Sequence, residues 1–133
     1  MEKSLLFLGS QLKRPSSAMH TILLVDDEPD ILFVFELLLA GQGYRVITAR
    51  NGAEALEAAL AHPPHLVISD WMMPVMDGAQ LYRCFRGIPS LSAIPFVFVS
   101  AAIPPNEVTQ GAFLRKPFDP PLLFELIQRC LAD

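Results

Sequence analysis

Five residues of types that handle phosphate and metal ions each follow an apolar run of this sequence. Asp26 and Asp27 follow the first run, and Asp70, Ser100 and Lys116 follow later ones. A carboxylate nucleophile, further carboxylates for a hard divalent cation, a hydroxyl donor and a compact positive charge together suit phosphoryl transfer. Each residue taken alone is more often a turn residue, a helix cap or a solvated side chain. The interpretation therefore rests on the set.

The apolar runs have the length and composition of strands, and helical segments alternate with them. Strands are predicted at residues 21–25, 44–48, 66–69, 94–99 and 112–114. Helices are predicted at residues 30–40, 52–61, 79–86 and from Asp119 to about Leu131, with Asn51 and Asp119 as N-caps. This alternation predicts an α/β fold, a doubly wound five-stranded parallel sheet in the order 2-1-3-4-5.

That fold places the five residues at one edge of the sheet. Ligands of such sheets bind beyond the carboxyl ends of the strands. Strands one and three are neighbours in this order, so the carboxylates of Asp26, Asp27 and Asp70 share one pocket. Two like charges 4 Å apart repel by about 4 kcal/mol at an effective dielectric near 20. A hard cation such as Mg²⁺ offsets that repulsion, and the sequence therefore predicts a Mg²⁺ cofactor.

Four stretches resemble a known family. They are ILLVDDEPD (22–30), LVISDWMMPVMDG (66–78), PFVFVSA (95–101) and FLRKPF (113–118). They resemble, in the right order, the CheY-like receiver domains of two-component response regulators. The resemblance covers residues 20–133 and leaves residues 1–19 as an N-terminal extension. It implies a signalling switch rather than an enzyme, phosphorylated by a histidine kinase or phosphotransfer protein.

The resemblance also implies a role for each site residue. Asp70 matches the phosphoacceptor. The implied Mg²⁺ ligands are three carboxylates and one backbone carbonyl: those of Asp26, Asp27, Asp70 and Met72. The residues implied to respond to the phosphoryl group are Ser100, Lys116 and Phe113. Pro74 and Gly78 shape the loop after the acceptor.

The sequence departs from the family between Ser100 and Lys116, which are only 16 residues apart. Receivers usually place a full helix there. Pro104 and Pro105 forbid helix before them, and Gly111 ends any turn that follows. We predict that the fourth helix is missing or vestigial, in the region that usually carries the output of the family. A harmless loop deletion is the alternative.

The first helix is apolar nearly all round. Its face predicted to pack on the sheet has helical spacing: Ile31, Val34, Phe35 and Leu38. Phe33 and Leu37 fall on the opposite side, where a helix of this kind is usually covered. Three candidates could cover this side of the helix. They are Leu5–Leu8 folded back, a second copy of the chain in a homodimer, or the helical phosphodonor that receivers bind near this helix.

Length, charge and cysteine content exclude several classes of protein. The chain has 133 residues, one ordinary domain, and a formal net charge of −4 that argues against a nucleic-acid surface. The apolar runs fall short of the roughly 20 residues that span a bilayer, so no membrane role is expected. Two cysteines fit neither a disulfide framework nor a metal quartet, which favours the reducing cytoplasm.

Two functional alternatives remain beside the phosphorylated switch. We expect a stand-alone receiver, without an output domain, that switches protein–protein interactions. The runner-up is a receiver-like binding module that works without phosphorylation. An aspartate-nucleophile phosphatase is disfavoured, because Asp70-Trp71-Met72 lacks the second acid of a DxD pattern.

Overall fold

The computed structural model describes residues 20–101 and 112–132. Strands and helices alternate along them. The strands are β1 (Thr21–Val25), β2 (Arg45–Ala49), β3 (Leu66–Asp70), β4 (Phe96–Ser100) and β5 (Ala112–Arg115). The helices are α1 (Pro29–Gly41), α2 (Gly52–Ala61), α3 (Gly78–Arg86) and α4 (Pro120–Leu131).

All five strands pair in parallel, in the order β2-β1-β3-β4-β5. This confirms the predicted doubly wound sheet. The register aligns the strand ends, with Val25 opposite Ser69, Asp70 opposite Val99 and Ser100 opposite Arg115. The residues that end or follow these strands therefore meet at one edge.

Two apolar layers cover the two faces of the sheet, because successive strand residues point to opposite faces. The layer beneath α1 and α4 is built on alternate strand residues such as Ile22, Leu24, Ile68 and Val97, together with Leu123 of α4. The layer beneath α2 and α3 is built on the strand residues between them, such as Leu23, Val25, Val67 and Phe98, together with Phe85 of α3. Full burial of each such side chain stabilises the fold by about 1.5–3 kcal/mol, so the polar edge of the sheet rests on a rigid interior.

The helices begin where cap residues satisfy the first backbone N–H groups. The side chain of Asn51 accepts a hydrogen bond from the Glu54 N–H at 2.8 Å, which confirms the predicted start of α2. Asp77 and Gln80 form a reciprocal capping box at the start of α3. Asp119 stands at the N-cap of α4 as predicted, but its side chain makes no capping hydrogen bond.

Helix α1 packs on the sheet through a face that is rotated from the predicted one, with Ile31, Phe35 and Leu38 half-buried at its margin. Leu32 and Leu39 are buried, and Phe35 packs half-buried against Phe118 with ring centroids 5.7 Å apart. The outer face carries three exposed apolar side chains: Phe33 (61%), Val34 (50%) and Leu37 (59%). The prediction that Val34 faces the sheet was wrong, because a helix apolar all round offers no polar side that fixes its rotation.

Some sequence predictions fall outside the described residues. The missing or vestigial fourth helix concerns residues 102–111, and the N-terminal extension with Leu5–Leu8 concerns residues 1–19. Within residues 20–101 and 112–132, none of the helices is both long enough and apolar enough to cross a membrane.

Candidate functional site

The carboxyl edge of the sheet gathers residues from four strands. Asp26 follows β1, Asp70 ends β3, Ser100 ends β4 and Lys116 follows β5. The backbone ties them in place: the Asp26 N–H donates to the Ala49 carbonyl at 3.2 Å, and the Lys116 N–H donates to the Ser100 carbonyl at 2.9 Å. The side chains therefore start from fixed positions on neighbouring strands.

Three carboxylates form a pocket that is closed at one side and open at the other. One oxygen each of Asp26, Asp27 and Asp70 lies within 4.8 Å of the other two. Asp26 is buried, Asp70 is half-buried and Asp27 is exposed. Oδ1 of Asp26 accepts a hydrogen bond from the Glu28 N–H at 3.0 Å, which fixes the most buried carboxylate.

Lys116, which follows the edge strand β5, reaches into this pocket. Its Nζ lies 3.4 Å from Oδ2 of Asp26 and 3.8 Å from Oδ2 of Asp70. One ammonium facing three carboxylates leaves two negative charges unbalanced at neutral pH. A divalent cation has the charge that neutralises the set, and carboxylate oxygens are the ligands that Mg²⁺ and Ca²⁺ take.

The environment of Asp70 opposes its ionisation. Burial raises the pKa of this carboxyl above its ordinary value, and the nearby Asp26 carboxylate raises it further. Lys116 acts in the opposite direction, as do backbone N–H groups of Met72 and Trp71. The rise in pKa therefore comes mainly from the partial desolvation of the carboxyl, which the attraction of the Lys116 ammonium does not fully offset.

The loop after Asp70 returns to the acceptor. The Met72 N–H approaches Oδ1 of Asp70 at 3.4 Å, while the Met72 side chain is exposed. A Cβ on Gly78 would lie 2.6 Å from the Asp70 carbonyl oxygen, so only glycine fits there. This explains how Gly78 shapes the loop, as the sequence predicted.

Trp71 connects the acceptor to the aromatic residue on β5. Its ring packs edge-on against Phe98 at 5.0 Å and lies 6.3 Å from the ring of Phe113. Phe113 is half-buried and packs on the layer beneath α2 and α3. The sequence places Trp71 directly after the acceptor and the motif places Phe113 near the site, but neither pattern predicts that the two rings approach each other.

The structure thus brings together the residues that the sequence singled out. Asp26, Asp27, Asp70 and Lys116 share one pocket, and Ser100 ends the adjacent strand with its side chain buried. In the described part of the chain, this is the one cluster of three or more metal-ligating side chains. The contact of Met76 with Gly52 was not predicted, because Asn51-Gly52 indicates only a helix start.

Comparison with known protein families assigns the chain to one of them. Residues 22–128 match the response regulator receiver domain. The chain therefore belongs to the receiver-domain family of two-component response regulators, whose members are signalling modules that interact with histidine kinases or phosphotransfer proteins.

Relatives show how this domain is used in other proteins. The chain is 38% identical over 119 residues to the response regulator Rre1 of Synechocystis, covering 84% of this chain and 52% of Rre1. It thus spans about half the length of that relative. Further relatives of similar identity are named transcriptional regulatory proteins, among them KdpE of Mycobacterium tuberculosis and GlrR of Escherichia coli.

Solved structures share the fold over nearly their whole length. The chemotaxis protein CheY4 of Vibrio cholerae superposes with a TM-score of 0.79 at 32% identity, covering 85% of this chain and 99% of CheY4. The receiver domain of the sensor histidine kinase PA1611 of Pseudomonas aeruginosa gives a TM-score of 0.79 at 28% identity, covering 86% and 98%. That structure holds a magnesium ion in its active-site cleft.

Proposed function

We propose that Asp70 accepts a phosphoryl group from a histidine kinase or a histidine phosphotransfer protein. One observation carries the proposal: the Asp70 carboxylate lies in a pocket with two further carboxylates and one lysine ammonium. An oxygen of Asp70 attacks phosphorus, the bond from phosphorus to the donor imidazole nitrogen breaks, and the electron pair stays with the imidazole. The acceptor becomes an acyl phosphate.

The ligands proposed for Mg²⁺ are the carboxylates of Asp26, Asp27 and Asp70 and the backbone carbonyl of Met72. The short separations among the three carboxylates and the magnesium ion in the PA1611 receiver support this choice. When bound, the cation supplies neutralisation of the negative charge that gathers on the transferring phosphoryl group.

Ser100 and Lys116 are proposed to bind the phosphoryl group after transfer. The group adds about two negative charges at neutral pH, and Lys116 already lies 3.8 Å from Asp70. The Ser100 hydroxyl can donate a hydrogen bond to a phosphoryl oxygen from the end of the adjacent strand. Both residues also join β4 to β5 through the Lys116 N–H and the Ser100 carbonyl.

The output is proposed to be a change in protein–protein contacts. A movement of Ser100 toward the phosphoryl group changes the end of β4, and Phe113 on β5 packs against Trp71 beside the acceptor. Phe113 is therefore placed to respond to the same event. We place this function in the cytoplasm, where Cys84 and Cys130 stay reduced thiols, with residues 20–133 as the receiver and 1–19 as an extension.

Incubation with acetyl phosphate and Mg²⁺, followed by intact-mass measurement, tests the proposal. The wild-type chain is expected to gain one phosphoryl group, and Asp70→Asn to gain none. Asp30→Asn is the matched control, because Asp30 is an exposed acid of α1 outside the carboxylate cluster. Addition of EDTA is expected to abolish the gain in the wild type and in Asp30→Asn.

Other outcomes would favour other functions. No gain with acetyl phosphate or with a phosphorylated kinase favours the phosphorylation-independent binding module. A gain that survives in Asp70→Asn contradicts Asp70 as the acceptor. A mobility shift of DNA by the purified chain would contradict the proposed protein-only output, which rests on the net charge of −4.

A further inference from the structure

The loop after Asp70 contains a turn that is unfavourable for its central residue. The Met76 N–H donates to the Pro74 carbonyl at 2.7 Å, and Val75 between them has a φ of 71°. This is a γ-turn with positive φ, a rare and strained conformation, and a β-branched residue is poorly suited to it. Val75 is 81% exposed, so burial of its own side chain does not stabilise the turn. Contacts elsewhere in the loop must hold it.

One such contact is between Met76 and Gly52, the first residue of α2. A Cβ on Gly52 would lie 2.7 Å from the Met76 carbonyl oxygen and 2.8 Å from both Cβ and Cγ of Met76. The oxygen and the Cβ are fixed to the loop backbone, so a rotation of the Met76 side chain cannot relieve the clash. Any side chain on Gly52 would therefore displace the loop.

Gly52, the other residue in this contact, is fixed by the start of α2. Gly52 is buried at the start of α2, and the Asn51 side chain caps that helix through the Glu54 N–H. At the far end of the loop, the Gly78 N–H donates to the Trp71 carbonyl at 3.0 Å. Met72 lies in the loop between the acceptor and Met76, so its backbone is set by contacts at both ends.

We propose that Gly52 is a positioning residue for the metal and phosphoryl site. Because Gly52 lacks a Cβ, Met76 sits directly on the start of α2, and this contact sets the backbone that presents the Met72 carbonyl. The inference rests on the proposed function, in which that carbonyl binds Mg²⁺. Gly52 itself touches neither the cation nor the phosphoryl group.

Substitution Gly52→Ala tests the proposal by calorimetric titration with Mg²⁺ on the full chain. The dissociation constant for Mg²⁺ is expected to rise about tenfold, within the range of loss seen when outer partners of metal ligands are changed. Gly41→Ala is the matched control, since nothing lies within 4 Å of a Cβ there, and its affinity for Mg²⁺ is expected to equal that of the wild type. Urea denaturation of each variant separates a loss of affinity from a loss of stability.

Each outcome decides the proposal. An unchanged Mg²⁺ affinity in Gly52→Ala, with a wild type that binds Mg²⁺ and is phosphorylated, overturns the positioning role and leaves the proposed function standing. A wild type that neither binds Mg²⁺ nor is phosphorylated overturns both. If Gly52→Ala does not fold, Met76→Gly removes both the Cβ and the Cγ that approach Gly52. Several-fold weaker Mg²⁺ binding by that variant supports the proposal, and unchanged binding overturns it.

Discussion

At the amino end of the sheet, polar groups pair with one another, whereas at the carboxyl end three carboxylates face one lysine ammonium. Nδ1 of His65 accepts the Thr21 N–H at 2.9 Å, and the Thr21 carbonyl accepts the His65 N–H at 2.8 Å. The His20 ring packs edge-on against His65 at 4.9 Å. At the other end, Asp26 and Asp70 share one lysine, and Asp27 adds a third carboxylate.

The residues at the amino end stabilise the fold through hydrogen bonds. The carboxylates at the carboxyl end repel one another, and a bound cation would relieve that repulsion. Both ends belong to the same rigid sheet, so the repulsion cannot relax by movement of the strands. Neutralising a charge at the carboxyl end should therefore stabilise the chain, whereas removing a polar group at the amino end should destabilise it. Three measurements test this comparison.

The largest expected effect is stabilisation by Mg²⁺. At a free Mg²⁺ concentration one hundred times the dissociation constant, a ligand that binds only the folded state adds about 2.7 kcal/mol to the free energy of unfolding. Urea denaturation with and without Mg²⁺ measures it. Asp27→Asn should lose most of the gain, and the exposed control Asp30→Asn should keep it. Equal stabilisation of all three chains would contradict a cation site at the carboxylate cluster.

A smaller loss is expected at the amino end. His65→Ala removes the acceptor of the Thr21 N–H and the ring contact with His20, and should lower the free energy of unfolding by about 1 kcal/mol. The gain in stability on adding Mg²⁺ should stay as in the wild type, because His65 lies at the opposite end of the sheet. A reduced response to Mg²⁺ would show that the two ends are coupled.

The third effect is a pH dependence set by Asp70 in the metal-free chain. Its pKa is raised above 3.8 in the folded state, chiefly by burial, so the folded chain keeps this proton to higher pH than the unfolded chain. Stability relative to Asp70→Asn should fall as the pH rises from about 4 through the raised pKa, and then level off. Paired urea denaturation of the two chains in EDTA measures the difference. A wild type whose stability rises relative to Asp70→Asn over this pH range would contradict the assigned sign.

Much of the fold could be predicted because its signals are local. The apolar runs gave every strand to within about two residues, and Asn51 marked the start of α2 correctly. The rotation of α1 could not be predicted, because Leu32 and Val34 are equally apolar and only the packed sheet selects between them. At Asp119 the N-cap position could be predicted, but the absence of a capping hydrogen bond from its side chain could not, because that bond depends on local geometry.

The residues of the site also divide into those that could be predicted from the sequence and those that could not. Strand ends identified Asp26, Asp70, Ser100 and Lys116, because parallel strands bring their carboxyl ends together whatever the loops do. The contact of Met76 with Gly52 depends on the path of the loop between β3 and α3. No periodic pattern in the sequence encodes that path. Contacts between loops are therefore the part of the site that sequence reasoning missed.

The parallel order of the strands also governs how the chain must assemble. Each pairing joins residues far apart in the sequence, from Val97 with Ala112 to Ile22 with Leu66. Closing such long loops costs entropy before any strand contact forms, and domains of this kind fold more slowly than helical bundles of equal length. During synthesis, β1 is made early but pairs with its central neighbour only after β3 has emerged. Until then the apolar strand Thr21–Val25 can pair only with β2, and its other edge is open to association with other chains.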